Sequence, residues 1–365
     1  MLAMKPLVTA LWNLGYEPPT RFKAMFDAPF GQVTPNWELP ALNNSGPVAF
    51  SPKTLNKTYG DLYDLAWLWW KDPRYAWWLG ENPGREGHGS AKFLYGTSTV
   101  EGDKDVGRFE SRNFKSSGFA VLRSDSKCES SLGMMPGNYV GVDYGPVGGG
   151  HGHCDKLNLV LYHRDERIAE DLGCIAYSSQ RQWCWYRSSL AHNELVMDGV
   201  NQERTKAKCL WYERRSNGGV MLFDACDAYP GARVRRAVAV DGDVVLDLYM
   251  AESETEHRWE WAFHSHGQFE TPLAFSDLAL PSADPETKFT WNNERYPADI
   301  AWTWTERAKE GRMDGEWSGR WKGAEGNSLV TVAQKVVDLA TEKRIAGSFR
   351  TAVGTAQPVS EHVEL

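Results

Sequence analysis

The sequence predicts a mainly β protein, a large antiparallel β-sandwich with a few helices in front of it. Three observations carry that prediction. From about residue 108, short apolar runs recur at regular spacing with no helical pattern between them. Two Asp-Gly pairs, Asp198-Gly199 and Asp241-Gly242, stand at the ends of such runs, where tight hairpins need residues that tolerate positive φ. Ahead of residue 108 the apolar period is helical.

Residues 2–14 suit a first helix. A loop marked by Pro, Asn and Gly follows, PFGQVTPNWELPALNNSGP. In residues 59–79, Leu62, Leu65, Ala66, Trp69 and Trp70 recur at helical spacing, with Asp61 and Asp64 near the start. Pro73 then opens a short helix through Tyr75, Trp78 and Leu79, because the first helical position needs no N–H and suits proline's fixed φ. Expected strands are 119–125, 157–163, 167–173, 193–199, 220–226, 233–242 and 243–252, with a turn at residues 164–167. Residues 284–327, rich in Trp, Gly and charge, read as long loops with edge strands, and the polar stretch after about 338 reads as a frayed tail. The expected organisation is a helical segment over 1–105, a sandwich over 106–340 and a tail over 341–365.

At 365 residues the chain is too long for one ordinary domain. Its 42% hydrophobic and 24% charged residues are a globular composition and exclude disorder as the main state. A net charge of −8 argues against nucleic acid as a partner. No apolar run approaches the roughly 20 residues of a membrane span, so no membrane partner is expected. The opening Met1-Leu-Ala-Met-Lys-Pro lacks the apolar core of a secretory signal, which leaves the cytoplasm or a bacterial periplasm open. The six cysteines form no CxxC pair and are expected to be mostly free and buried. The 17 tryptophans suit cores and interdomain packing, and also flat platforms for ligand rings.

The chemistry concentrates in GPVGGGHGHCDKLNLVLY, residues 145–162. Glycines let backbone approach a ligand closely. Of 9 histidines, two, His151 and His153, flank one glycine. On an extended segment they would share a face at roughly 7 Å. Imidazole is both a metal ligand and an acid or base near neutral pH. Asp171, at the end of a strand, and His192, in RSSLAHNELVMDG, complete a set with His153 that suits zinc and leaves a fourth position for water or another ligand. HGHCDK also partly resembles the HxHxDH motif of metallo-β-lactamase-like hydrolases. Here, however, the last position is Lys156 and a strand follows.

The run GGGHGHCDKLNLVLYHRDERIAEDLGCIAY, then WYRSSLAHNELVMDG, resembles the β-sandwich domain of the heparinase II/III family of polysaccharide lyases. DAYPGARVRRAVAVDGDVVLDLYMAES and HRWEWAFHSHG continue the resemblance, which covers roughly residues 20–335 and is strongest toward oligoalginate lyases. LPALNNSG and YGDLYDLAWLWWKDPRYA look like the last helices of the family's (α/α) toroid.

The resemblance implies roles for individual residues. His151 matches the active-site histidine that the sandwich contributes. His153, Asp171 and His192 match the ligands of a mainly structural zinc. Tyr177 and Tyr186 fall where catalytic groups are expected, and Arg187 where substrate is bound. The implied reaction is β-elimination on a uronic-acid oligosaccharide or polysaccharide, with alginate-type substrates preferred. The C5 proton lies α to a charged carboxylate, so neutralising that carboxylate stabilises the developing charge. A Tyr or His serves as base, and a Tyr can protonate the leaving oxygen. The family's upstream catalytic residues have no counterpart before residue 20. The expectation is therefore a C-terminal portion that works with a toroid portion outside this chain, or as a homodimer. The alternative is a non-catalytic, zinc-stabilised carbohydrate-binding fragment, and a metallo-hydrolase is the third reading. Asp227, Tyr229, Arg235 and Arg236 are expected to make a structural turn and surface strand, and Lys156 is expected to be a solvated charge. His264 and His266, in AFHSHG, are expected on a sandwich strand.

Overall fold

The computed structural model describes residues 5–50, 57–81, 109–124, 137–147, 149–179, 181–279, 305–322, 328–335, 341, 343 and 346–354. In chain order the N-terminal elements are α1 (Lys5–Asn13), α2 (Thr20–Gln32), β1 (Glu38–Leu39), β2 (Val48–Ala49), α3 (Lys57–Trp70) and α4 (Pro73–Gly80). The expected helix over 2–14 and the two over 59–79 are present; residues 1–4 lie outside the described set. Asp72 caps α4, its Oδ1 accepting from Arg74 N at 3.0 Å, with Pro73 at the first position. The loop reading missed α2. Its signal was there, since Phe22, Phe26 and Phe30 recur every fourth residue and line one buried face. Those rings meet Tyr63, Trp69, Tyr75, Phe50 and Trp78 in an aromatic core, which is where much of the tryptophan excess goes.

The sandwich begins with β3 (Arg112–Phe114), β4 (Phe119–Arg123), β5 (Asn138–Asp143), β6 (Leu159–His163) and β7 (Glu166–Ala169), an antiparallel sheet in that spatial order. After β8 (Leu195–Met197) come β9 (Lys208–Arg215), β10 (Gly218–Tyr229), β11 (Ala232–Asp241) and β12 (Val244–Ser253), paired as β12-β11-β10-β9. Next, β13 (Trp259–Trp261) pairs with β8. The remaining strands are β14 (Gln268–Glu270), β15 (Ser276–Asp277), β16 (Thr305–Asp314), β17 (Glu316–Lys322), β18 (Ser328–Lys335) and β19 (Ala346–Gly354), in sheets β14-β17-β18 and β15-β16-β19. Strand β19 lies where a frayed tail was expected, and its pairing with β16 corrects that expectation. Residues 284–304 and 323–327 of the expected loop region are outside the described set.

The two large sheets share one core. Ala120, Leu122, Val140, Val142 and Leu159 from one face Met221, Phe223, Val234, Val238 and Val240 from the other. The opposite face of the first sheet is also covered: Phe119, Val121, Tyr139, Val160 and Tyr162 pack with Leu42 of the N-terminal segment. That double burial explains why β5 escaped sequence reading, since NYVGVD has no alternation to detect. Arg123 Nη2 donates to the Gly31 and Val33 carbonyls, and Tyr139 Oη donates to Gln32 O at 2.9 Å, tying the end of α2 to the sheet. No helix among the described residues is long and apolar enough to cross a membrane.

Candidate functional site: a buried histidine–carboxylate centre beneath an exposed His–Tyr pair

Antiparallel pairing brings the end of β5, the start of β6 and the end of β7 to one end of the sheet. The Gly-rich loop joins β5 to β6 there. It includes a short 3-10 turn at Gly149–His151, with Gly149 at φ +60° and Leu157 at φ +71°. This turn separates the two histidines. His151 is exposed and His153 is 1% exposed, so they do not share a face as an extended segment would require.

Among the described residues, His153, Asp155 and His192 bring one ligand atom each within 4.8 Å of one another, all buried. His153 Nδ1 lies 3.3 Å from His192 Nε2, and Asp171 Oδ1 lies 3.9 Å from the same His192 nitrogen. The outer hydrogen bonds set both tautomers. His192 Nδ1 donates to Ser188 O at 2.7 Å, and His153 Nε2 donates to Asn44 Oδ1 at 2.7 Å. Each ring therefore turns an unprotonated nitrogen toward the other. Burial pushes His192 down to about 4 and holds His153 well below the usual imidazole range, where the two rings would also repel each other if both were protonated. Both rings are neutral at pH 7, the form that binds metals.

The carboxylates around them are held as tightly. Asp171 accepts from Asn158 Nδ2 and from Gly173 N, both at 2.8 Å, and burial together with the Asp155 charge raises its carboxyl well above the usual range. Asp155 Oδ2 has no hydrogen-bond partner among the described residues, while Oδ1 meets Lys156 Nζ at 2.6 Å. Lys156 also reaches Asp143 Oδ2 at 2.9 Å and is 1% exposed, so it is a buried counter-ion and not the solvated charge expected. Around this centre Asp143, Asp155, Asp171 and Glu194 are buried against the buried bases Lys156 and Arg236, and burial raises Asp171 and Glu194 toward their neutral forms, a cost that a bound cation would relieve. Facing lone pairs, an unpartnered carboxylate oxygen and buried acid together make a group that fits a metal ion.

Above this centre His151 Nδ1 lies 3.0 Å from Tyr177 Oη, and Tyr177 is 51% exposed. Asn44 Nδ2 donates to Tyr177 Oη at 3.3 Å and sits 3.4 Å from His151 Nδ1. With donors converging on Nδ1, His151 carries its proton on Nε2. Arg187, expected to bind substrate, donates from Nη2 to Gly152 O at 2.7 Å and lies 5.1 Å from the Trp183 ring centroid, so it grips the loop between the two histidines. Trp183 also stands beside Tyr177, ring centroids 6.2 Å apart. Tyr186 is not brought to this pair. Its side chain packs with Trp185, Leu190 and Val196 in a hydrophobic cluster, and burial raises its hydroxyl's pKa. Tyr186, expected among the catalytic groups, is buried in that cluster.

His264 is half-buried near Trp185 with Nε2 donating to Leu190 O, and desolvation pushes it to about 4; His266 pairs with Glu170 at 2.7 Å. Arg236 and Tyr229, expected on a surface strand, are 0% and 1% exposed. The described cysteines 154, 174, 184, 209 and 226 are free, as expected, but only Cys184 is buried. Sequence reading overlooked Asn43, Asn44 and Gln182. Asn43 Oδ1 accepts from His153 N at 3.0 Å, and Gln182 Nε2 donates to Asn44 Oδ1 at 2.8 Å. The available signal was an Asn-Asn pair in a turn, with Asn43 at φ +56°.

Residues 107–344 match the family described as Heparinase II/III-like, C-terminal. An alginate lyase of Stenotrophomonas maltophilia is 26% identical over 162 residues, which is 38% of this chain and 22% of that protein. Among solved structures, a heparinase III gene product with methylated lysines matches with a TM-score of 0.56 at 14% identity, covering 91% of this chain and 45% of that one. A heparan sulfate lyase from Pedobacter heparinus matches with a TM-score of 0.51 at 15% identity, covering 91% and 44%. The chain thus spans less than half the length of these relatives. The match over most of the sandwich, together with the shared fold, places this chain in the heparinase II/III-like family, in its C-terminal domain.

Proposed function

We propose that this chain carries the sandwich side of a polysaccharide lyase active site that cleaves uronic-acid-containing glycans by β-elimination. The observation that carries the reading is the exposed His151–Tyr177 pair at 3.0 Å, set on a buried polar centre. His151 turns an N–H outward, suited to the substrate carboxylate whose neutralisation makes the C5 proton removable. Tyr177 Oη is positioned for proton transfer. In the reaction the C5–H bond and the C4–O4 bond break, the C5 electron pair becomes the C4–C5 double bond, and the leaving oxygen takes a proton. Trp183 and Arg187 offer a flat, cationic wall beside the pair, which suits an anionic sugar. The alginate lyase relative favours an alginate-type uronate.

Zinc is the metal that suits the centre. Two neutral imidazoles with Asp155 or Asp171 are a zinc donor set, and tetrahedral zinc–nitrogen bonds of about 2.0–2.1 Å separate two ligand nitrogens by about 3.3–3.4 Å, against 3.3 Å here. His153, Asp171 and His192, with Asp155 as the added candidate, would hold it. Bound there, zinc supplies structural cross-linking of the Gly-rich loop to the segment before β8.

The test is ultraviolet absorbance of the conjugated product on alginate, heparan sulfate and hyaluronan oligosaccharides, with zinc measured in the same preparation. A rise on one substrate is expected. Glycan binding with zinc present and no double bond would instead support a non-catalytic binding role, and hydrolysis without unsaturation would sink the lyase reading. His153→Ala should lose zinc and thermal stability together, and a variant that kept stoichiometric zinc would sink the metal assignment.

A further inference from the structure

The geometry points to Asn44 as a positioning residue that joins the metal centre to the His151–Tyr177 pair; this rests on the metal reading above. Asn44 sits in the turn between β1 and β2, far in sequence from either group, and its backbone N donates to His151 O at 3.1 Å. Its amide is used from both ends. Oδ1 accepts from His153 Nε2 at 2.7 Å and from Gln182 Nε2 at 2.8 Å. With the oxygen fixed by two donors, Nδ2 must point the other way, to Tyr177 Oη at 3.3 Å and His151 Nδ1 at 3.4 Å. One planar group therefore does two things. It holds the proton of His153 on Nε2, so that Nδ1 faces His192 and the metal. It also orients the pair above by donating to the Tyr177 oxygen, which leaves the Tyr177 proton for His151 Nδ1.

The surroundings make this arrangement stiff. Asn43 takes the His153 backbone N–H at 3.0 Å. Gly173, two residues after Asp171, lies so close that an added Cβ would sit 1.9 Å from Ser45 O. The turn is thus locked between the loop carrying both histidines and the segment carrying Asp171. A partner that fixes a ligand imidazole's second nitrogen typically changes metal affinity by about 10–100-fold.

The two functions separate by substitution in the full chain. Asn44→Ala removes both ends of the amide, whereas Asn44→Asp keeps the acceptor toward His153 and loses the donor toward Tyr177. Zinc affinity, measured by competition with a chromogenic chelator, should fall about 10–100-fold in Asn44→Ala and be equal or tighter in Asn44→Asp. Turnover of the uronate substrate should fall in both variants, through kcat more than KM, so that Asn44→Asp is zinc-loaded yet slow. Wild-type zinc affinity in a folded Asn44→Ala overturns the proposal. So does equal loss of zinc in both variants, because a general loss of packing would act that way. If Asn44→Ala fails to fold, Asn44→Asp decides: zinc loss in that folded variant overturns the assignment. A wild-type chain that binds no zinc overturns this proposal and the metal reading together. Wild-type zinc binding without lyase turnover overturns the lyase reading alone and leaves the affinity comparison in force.

Discussion

Replacing Arg236 by Met tests whether the site is held from inside the sandwich. Arg236 is 0% exposed and lies on β11. Its Nε and Nη2 grip both oxygens of Asp247 at 2.7 and 2.6 Å. Nη1 donates to Leu157 O at 2.5 Å, Asn193 O at 2.6 Å and Tyr249 Oη at 2.9 Å. Leu157 is the positive-φ residue that ends the histidine loop, and Asn193 follows His192, so one guanidinium pins both halves of the metal centre. Methionine fills much of the volume but donates nothing. Leu157 O keeps the Tyr249 hydroxyl and Asn193 O keeps the Leu159 N–H, both at 3.2 Å, so neither carbonyl is orphaned; losing the short charge-assisted bonds to them costs about 1–3 kcal/mol. Breaking a fully buried ion pair costs about 3–5 kcal/mol; Asp247 is 20% exposed and can be partly rehydrated, so about 1–2 kcal/mol is the fitting share. The sum is about 2–5 kcal/mol, a large part of a typical stability of about 5–15 kcal/mol. The assay is urea unfolding at neutral pH, with Arg235→Met as control. Arg235 is one residue away but 25% exposed and paired with Glu252 at the surface, so its loss should cost less than about 1 kcal/mol. Arg236→Met within about 1 kcal/mol of that control would refute the reasoning.

Lys156→Met should destabilise by about 3–5 kcal/mol, because Asp143 and Asp155 would be left buried without their cation; adding Asp143→Asn should recover part of the loss, and a single-variant loss below about 1 kcal/mol would contradict the buried-counter-ion role. Gly173→Ala combines a φ of +62° with a Cβ driven into Ser45 O, so about 2–4 kcal/mol should be lost in a denaturant melt together with zinc affinity; an unchanged midpoint would show that the turn yields freely. His266 is raised above its ordinary 6.5 by the hydrogen bond to Glu170. Its contribution is therefore fully present below about pH 6.5 and fades as pH rises through the raised value. With the side chain 36% exposed, only a few tenths of a kcal/mol are at stake. The stability gap between wild type and His266→Gln should shrink with rising pH, and a gap that grew would reverse the assignment.

Local pattern and motif already determined a good deal. The helical period of Leu62, Leu65 and Trp69, the Pro73 start, the β11 run and the Asp241-Gly242 hairpin are short-range signals, and each became the element expected, whereas the turn at Asp198-Gly199 closes no hairpin because β8 pairs with β13. His153 and His192, which face each other at the centre, stood out in the sequence because histidine is rare; Asp171 lies 3.9 Å from His192, while Asp155, the carboxylate grouped with the two rings, was not among the expected ligands. What the sequence could not show was direction and depth. His151 and His153 are two residues apart, yet a 3-10 turn sends one to solvent and the other to the interior. Lys156 and Arg236 read as surface charges because charge alone does not reveal what covers it; burial came from Asp143, Asp155 and Asp247 converging from other strands. Asn44 had no distinguishing mark beyond a turn-forming pair. Its role exists only because the N-terminal segment packs on the first sheet and lays an amide across the two histidines, a contact spanning more than a hundred residues. Periodicity is written along the chain, whereas tautomers, buried charge balance and the partners of an amide are properties of groups that only tertiary packing brings together.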